Sequence, residues 1–163
     1  MISKSKIMTV IVATTTMILA TLLPTSLVFA QEKISINLTG NDEVPPVQTE
    51  ATGMVEFKIE GLDSIPYSLN ATNIEGVTAG HVHFGKTGEN GPIVVTLFKY
   101  DTPMNEVSEN GIITADKLEG PLADKPVADL ITAGSNGTLY INVHTEANPN
   151  GEIRGQTGDP AGQ

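Results

Sequence analysis

Cysteine is absent from the 163 residues. No disulfide therefore supports the fold, and no thiolate competes as a soft metal ligand. Basic residues are scarce, 9 against 19 acidic ones, which gives a formal net charge of −10. A surface of that sign repels nucleic acid and anionic lipid headgroups, keeps the protein soluble and attracts cations loosely. Signatures of other chemistry are missing as well: there is no Gly-x-Ser-x-Gly, no phosphate loop and no dinucleotide fingerprint. Histidine is nearly absent. Its three copies are confined to two short segments, Gly80-His81-Val82-His83-Phe84-Gly85 and Asn142-Val143-His144-Thr145.

The long apolar stretch of the chain lies at its start. Lys4 and Lys6 precede a threonine-rich apolar run from Ile7 to Leu23, and Val28-Phe29-Ala30 has the small-x-small form of a cleavage site. This is the pattern of a signal peptide over 1–30, with the competing reading an uncleaved membrane anchor. Pro24 and the cleavage triplet favour removal, and no cysteine follows the run to carry a lipid. The expected mature protein begins at Gln31, has no membrane span and works in a secreted or extracytoplasmic setting. Losing Lys4 and Lys6 leaves 7 basic residues against 19 acidic, a net charge of −12. The remaining 133 residues are the size of one domain.

Beyond Gln31 the chain reads as short strands divided by turn chemistry. Apolar residues alternate at Ile34, Ile36 and Leu38, at Val55, Phe57 and Ile59, and at Tyr67, Leu69 and Ala71. Val77 to Phe84 forms the next strand, with Val82 and Phe84 expected on the face opposite His81 and His83. Ile93 to Phe98 is nearly continuous and so buried on both faces. Ile112 to Ala115 is weaker, Leu139, Ile141 and Val143 alternate strongly, and Gly151 to Thr157 comes last. Four Asn-Gly pairs, at Asn90, Asn110, Asn136 and Asn150, are expected to turn the chain before a strand. One short helix is expected over Pro126 to Ala133 with Gly134 at its C-cap, too short to form a layer. The expected fold is all-β, a Greek-key sandwich or barrel, with residues 158–163 a disordered tail.

His-x-His in a strand puts both imidazoles on one face, since side chains alternate with a period of two. Their backbones then stand about 6.5–7 Å apart, from which the rings can converge on one ion at roughly 2 Å. The inward assignment of Ile141 and Val143 turns Tyr140, Asn142 and His144 outward. If that strand adjoins the His-x-His strand, His81, His83 and His144 form a three-imidazole site for copper or zinc, with a fourth position open to water or an external ligand. The competing reading makes the histidines structural, bonded to backbone or to neighbours such as Thr145, Glu146 and Asn148. Glu152 and Arg154 share a strand parity and are read as a charged pair on the solvent face. Glu43-Val44-Pro45-Pro46-Val47 is an extended, proline-stiffened edge segment. Asn37, Asn70 and Asn136 each head an Asn-x-Thr sequon.

Taken in order, Leu38-Thr39-Gly40-Asn41-Asp42-Glu43-Val44-Pro45-Pro46-Val47, Ala79-Gly80-His81-Val82-His83-Phe84-Gly85, Tyr140-Ile141-Asn142-Val143-His144-Thr145 and Asn148-Pro149-Asn150-Gly151-Glu152-Ile153-Arg154-Gly155-Gln156 resemble the CHRD domain. That family takes its name from the secreted growth-factor antagonist chordin. The resemblance covers 31–157 and implies an extracellular binding module; the alternative to a metal ion as what it binds is a protein or glycan partner, with the histidines structural. A shorter likeness, carried by Gly80-His81-Val82-His83-Phe84-Gly85, is to the strand of copper/zinc superoxide dismutases whose two histidines bind copper. It implies an immunoglobulin-like or dismutase-like β fold. A two-metal dismutase centre needs a fourth copper histidine and a cysteine pair, which this chain lacks. The expected function is therefore binding rather than dismutation.

Overall fold

The computed structural model describes residues 32–158. The expected signal peptide over 1–30 and tail residues 159–163 lie outside the described residues. The alternating segments become eight strands: β1 (Glu32–Thr39), β2 (Thr52–Ile59), β3 (Ser64–Thr72), β4 (Val77–Phe84), β5 (Ile93–Met104), β6 (Val107–Thr114), β7 (Leu139–Thr145) and β8 (Ile153–Gln156). One α-helix, α1 (Val127–Ser135), precedes β7, and three single-turn 3-10 segments punctuate the loops.

All eight strands join one antiparallel sheet in the order β5-β4-β7-β8-β1-β2-β3-β6. The sheet curls until its edges meet: Tyr100 Oη on β5 donates to Glu109 Oε1 on β6 at 2.7 Å, and Tyr67 Oη on β3 donates to the Leu97 carbonyl on β5. The result is a nearly closed barrel, as the alternation implied. Leu38, Val55, Leu69, Ile113, Ile141 and Ile153 fill its interior, each almost fully buried. Consecutive β3 and β4 are not neighbours. The chain crosses the barrel end through Asn73 and Gly76, both with positive φ (55° and 65°), a conformation open to asparagine and glycine.

Several local expectations need correction. Gly134 is still helical; α1 runs on to Ser135 and is capped by Asn136, because Gly137 (φ 66°) supplies the left-handed turn instead. Asn110-Gly111 lies inside β6 rather than before it, where a glycine is needed because a Cβ at Gly111 would meet the Tyr67 ring 2.5 Å away. Phe84 is 38% exposed, since β4 is irregular against β5 between Val82 and His83 and loses its alternation there. Glu43 to Val47 is no edge strand; it belongs to a loop after the 3-10 turn Gly40–Asp42 and lies over the outer face of the barrel.

Candidate metal centre

The pairing of β4 with β7 builds the site. Its register sets His83 opposite Tyr140, His81 opposite Asn142 and Ala79 opposite His144. Directly opposed residues of an antiparallel pair share a face, so three histidines, one asparagine and one tyrosine project outward together. Val82, Ile141 and Val143 take the alternate positions and anchor both strands in the core. The imidazoles lie close, with ring centroids 5.6 Å apart for His81 and His83, 4.7 Å for His81 and His144, and 5.9 Å for His83 and His144. One ligand-capable nitrogen from each ring lies within 4.8 Å of the others.

Outward does not mean exposed here. His83 and His144 are 8% and 9% accessible and Asn142 only 1%, because three loops, the first at 43–51, the second at 85–92 and the third at 146–152, fold down over this face. The expected surface-facing site is thus a covered one. Asn90 Nδ2 ties the second loop to the first by donating to the Val44 carbonyl at 2.7 Å. Thr49 Oγ1 donates to Glu152 Oε1, also at 2.7 Å, and so ties the first to the third. The histidines use the same loops. His83 Nδ1 bonds the Gly91 carbonyl at 2.9 Å and His144 Nδ1 bonds the Pro149 carbonyl at 3.0 Å. Both partners are backbone carbonyls, which the competing reading of the histidines allowed, and not the side chains of Thr145, Glu146 or Asn148.

A carbonyl oxygen only accepts, so each of these Nδ1 atoms carries the proton and each Nε2 is left with a bare lone pair. His83 Nε2, His144 Nε2 and His81 Nδ1 are all buried without a hydrogen-bond partner. Burial also holds the rings neutral. Desolvation lowers the His81 pKa to about 4, helped by His144, His83 and Lys99. Desolvation lowers His83 and His144 too, against a partial opposing effect of the Gly91 and Pro149 carbonyls. Neutral imidazoles with a free lone pair are what a metal requires of histidine, and two of the three, His83 and His144, are oriented through their second nitrogen by backbone carbonyls.

Arg154 and Glu152 are not the solvent-facing pair that their spacing suggested. Both are buried, at 1% and 8%, and they serve different loops. Arg154 donates from Nη1 to Asn90 Oδ1 (3.2 Å) and from Nη2 to the Lys86 (3.2 Å) and Glu89 (3.0 Å) carbonyls and to Gln156 Oε1 (3.1 Å). Its guanidinium lies 3.5 Å above the Tyr140 ring, whose other side stacks on His83 with an interplanar angle of 8°. Tyr140 Oη then accepts the Gly91 N–H at 3.2 Å. Arg154 and Tyr140 thereby fix the loop that orients His83. Glu152 accepts from Thr145 Oγ1 (2.7 Å) and Asn148 Nδ2 (3.0 Å) as well as from Thr49, which fixes the loop that orients His144. Burial would raise the Glu152 pKa, but these three donors outweigh it and lower it.

Glu43 is buried at 4% beside Asn142. Desolvation raises its pKa, with Arg154, the Asn142 amide and the Val44 backbone opposing the rise. Of these supporting residues, Asn142 was the most legible, since it shares strand parity with His144. Gly91 and Pro149 act through their carbonyls and leave no side-chain signal.

The CHRD domain profile covers residues 34–157. The chain belongs to the CHRD family. Among curated proteins it is similar to chordin from Xenopus laevis, 26% identical over an alignment 133 residues long that covers 77% of this chain and 13% of that protein. The chain therefore spans only a small part of the length of the relative it matches. No solved structure matches the chain. Among the described residues of this CHRD domain no helix is long and apolar enough to cross a membrane.

Proposed function

We propose that this CHRD domain is an exported binding module that holds one copper or zinc ion through His81 Nδ1, His83 Nε2 and His144 Nε2. One observation carries the reading: His81, His83 and His144 each offer a ring nitrogen within 4.8 Å of the others, and each ring has a buried nitrogen with no hydrogen-bond partner, bare of its proton in His83 and His144. Such a cluster of lone pairs is unfavourable without a cation. Bringing the nitrogens to roughly 2 Å from a shared ion needs only a small contraction of the cluster. Nitrogen donors of this class suit zinc and copper, whereas calcium and magnesium take oxygen. Export through the N-terminal segment fits the strongly acidic composition.

The test is titration of the metal-free protein with Cu(II) and Zn(II). One tightly held equivalent is expected, lost in His81→Ala, His83→Ala and His144→Ala. Absence of uptake at neutral pH overturns the reading.

A second reading is an extracellular protein- or glycan-interaction module whose histidines are structural. It draws support from the bonds of His83 and His144 to two covering loops, which make the rings loop fasteners. Under it, His144→Ala lowers stability by about 1 kcal/mol, and added metal leaves the unfolding curve of the native chain unmoved.

A further inference from the structure

We propose that Asn142 is the fourth donor of this site and closes it, so that a divalent ion is held by three imidazoles and one amide oxygen with no position left for an external ligand. The inference rests on the metal reading above and names what occupies the position that three histidines leave open.

Asn142 lies directly across from His81 in the β4–β7 register, is 1% exposed, and its Oδ1 is buried with no hydrogen-bond partner. The orientation of its amide is determined by what surrounds the nitrogen. Nδ2 donates to the Asn150 carbonyl at 3.3 Å. It also sits beside Glu43: the point that a Cβ on Gly151 would occupy is 2.5 Å from Asn142 Nδ2 and 2.2 Å from Glu43 Oε1. Both neighbours are acceptors, so a flipped amide would set oxygen against oxygen. With the nitrogen held on that side, Oδ1 turns to the imidazoles, and the Asn142 side chain interacts with the His83 ring.

Four atoms on this patch, His81 Nδ1, His83 Nε2, His144 Nε2 and Asn142 Oδ1, are buried without a hydrogen-bond partner, as is Glu43 Oε1 near the amide nitrogen. Adding a neutral oxygen to three imidazoles completes the four-coordination that zinc prefers and that Cu(II) accepts more readily than Cu(I) does. A cavity of about 1210 Å³ is lined by none of these four side chains. Metal sites that bind and turn over small molecules keep a coordination position open, whereas four protein ligands in a covered setting make a retaining or structural site. The site therefore holds its ion rather than presenting it to a substrate.

The experiment uses the full chain loaded with one equivalent of Cu(II), followed by electron paramagnetic resonance and visible absorption, with sodium azide as the small anionic probe. Azide is expected to leave the spectra of the unmodified protein unchanged. Asn142→Leu is expected to weaken Cu(II) and Zn(II) at least tenfold and to admit azide. Asn142→Asp, which keeps an oxygen in place, is expected to stay inert to azide and to bind Zn(II) at least as tightly as the parent. Azide binding to the unmodified protein overturns the inference, and that arm decides even if Asn142→Leu does not fold. Unchanged affinity and spectra in Asn142→Leu overturn it too, while losses confined to the histidine variants leave the three-histidine reading standing. If the unmodified protein takes up neither metal, both readings fall together.

Discussion

Replacing Arg154 with leucine removes the cation that holds the 85–91 loop against the barrel. Three of its four hydrogen bonds go to that loop, on Lys86, Glu89 and Asn90, and charge-assisted bonds contribute roughly 1.5–3 kcal/mol each when their partners are left unpaired. The full sum is not expected. Lys86, Thr87, Gly88, Glu89 and Asn90 are exposed, so the freed carbonyls can turn to water once the loop lifts. Loss of the contact with Tyr140 adds about 1 kcal/mol, and burial of leucine returns about as much. The net destabilisation is about 3 kcal/mol, roughly a 10 °C fall in Tm for a domain of this size. Urea unfolding followed by circular dichroism measures the loss. Amide exchange locates the damage: the Glu89 N–H bonded to Lys86 O and the Gly91 N–H bonded to Tyr140 Oη should lose protection. A change below 1 kcal/mol with those amides still protected refutes the claim that Arg154 fastens the loop.

The same geometry sets other outcomes. Metal-free stability should fall as pH drops from about 6.5 toward 4, because the unfolded chain protonates His81 near its ordinary value of 6.5 while the fold keeps it neutral to about 4. That difference amounts to at most about 3 kcal/mol; His81→Phe should flatten that limb of a stability–pH profile, and an unaltered slope refutes the assignment. Gly151→Ala should cost more than about 2 kcal/mol in chemical denaturation, since φ is 125° and the new Cβ would stand 2.2 Å from Glu43 Oε1. A near-neutral effect would mean that the Glu43–Asn142 contact is loose. Glu152→Gln should destabilise by about 1–2 kcal/mol at pH 7, and its deficit should shrink as pH falls below 4.5 through the lowered native pKa of Glu152. A pH-independent deficit would show that its ionised form is not what the three donors hold.

Much of the barrel was legible because strand alternation is a local signal. β4 coincides with the expected Val77 to Phe84, and β1, β2, β3 and β7 contain the alternating apolar positions that announced them. Errors fell where a distant contact overrode local chemistry. Asn110-Gly111 carries a strong turn signal yet stays in β6, where Tyr67 lies against the glycine. The sequence spacing of Glu152 and Arg154 is that of many solvent-facing pairs. Nothing local says that three loops will cover them, and each instead meets acceptors or donors from segments as remote as Lys86 and Thr49.

The amino-acid order alone determined that His81 and His83 share a strand face and that His144 lies on an outward face of another strand, because the period-two geometry of β structure leaves little choice. Only the tertiary structure decided that β7 sits beside β4, in a register that brings His144 to the other two. Sheet order arises from closing a curled barrel around one apolar core, a property of all eight strands at once. The tertiary structure also decided which ring nitrogen of His83 and of His144 is free, since the Gly91 and Pro149 carbonyls that fix these two tautomers arrive on loops whose paths are set by Arg154 and Glu152.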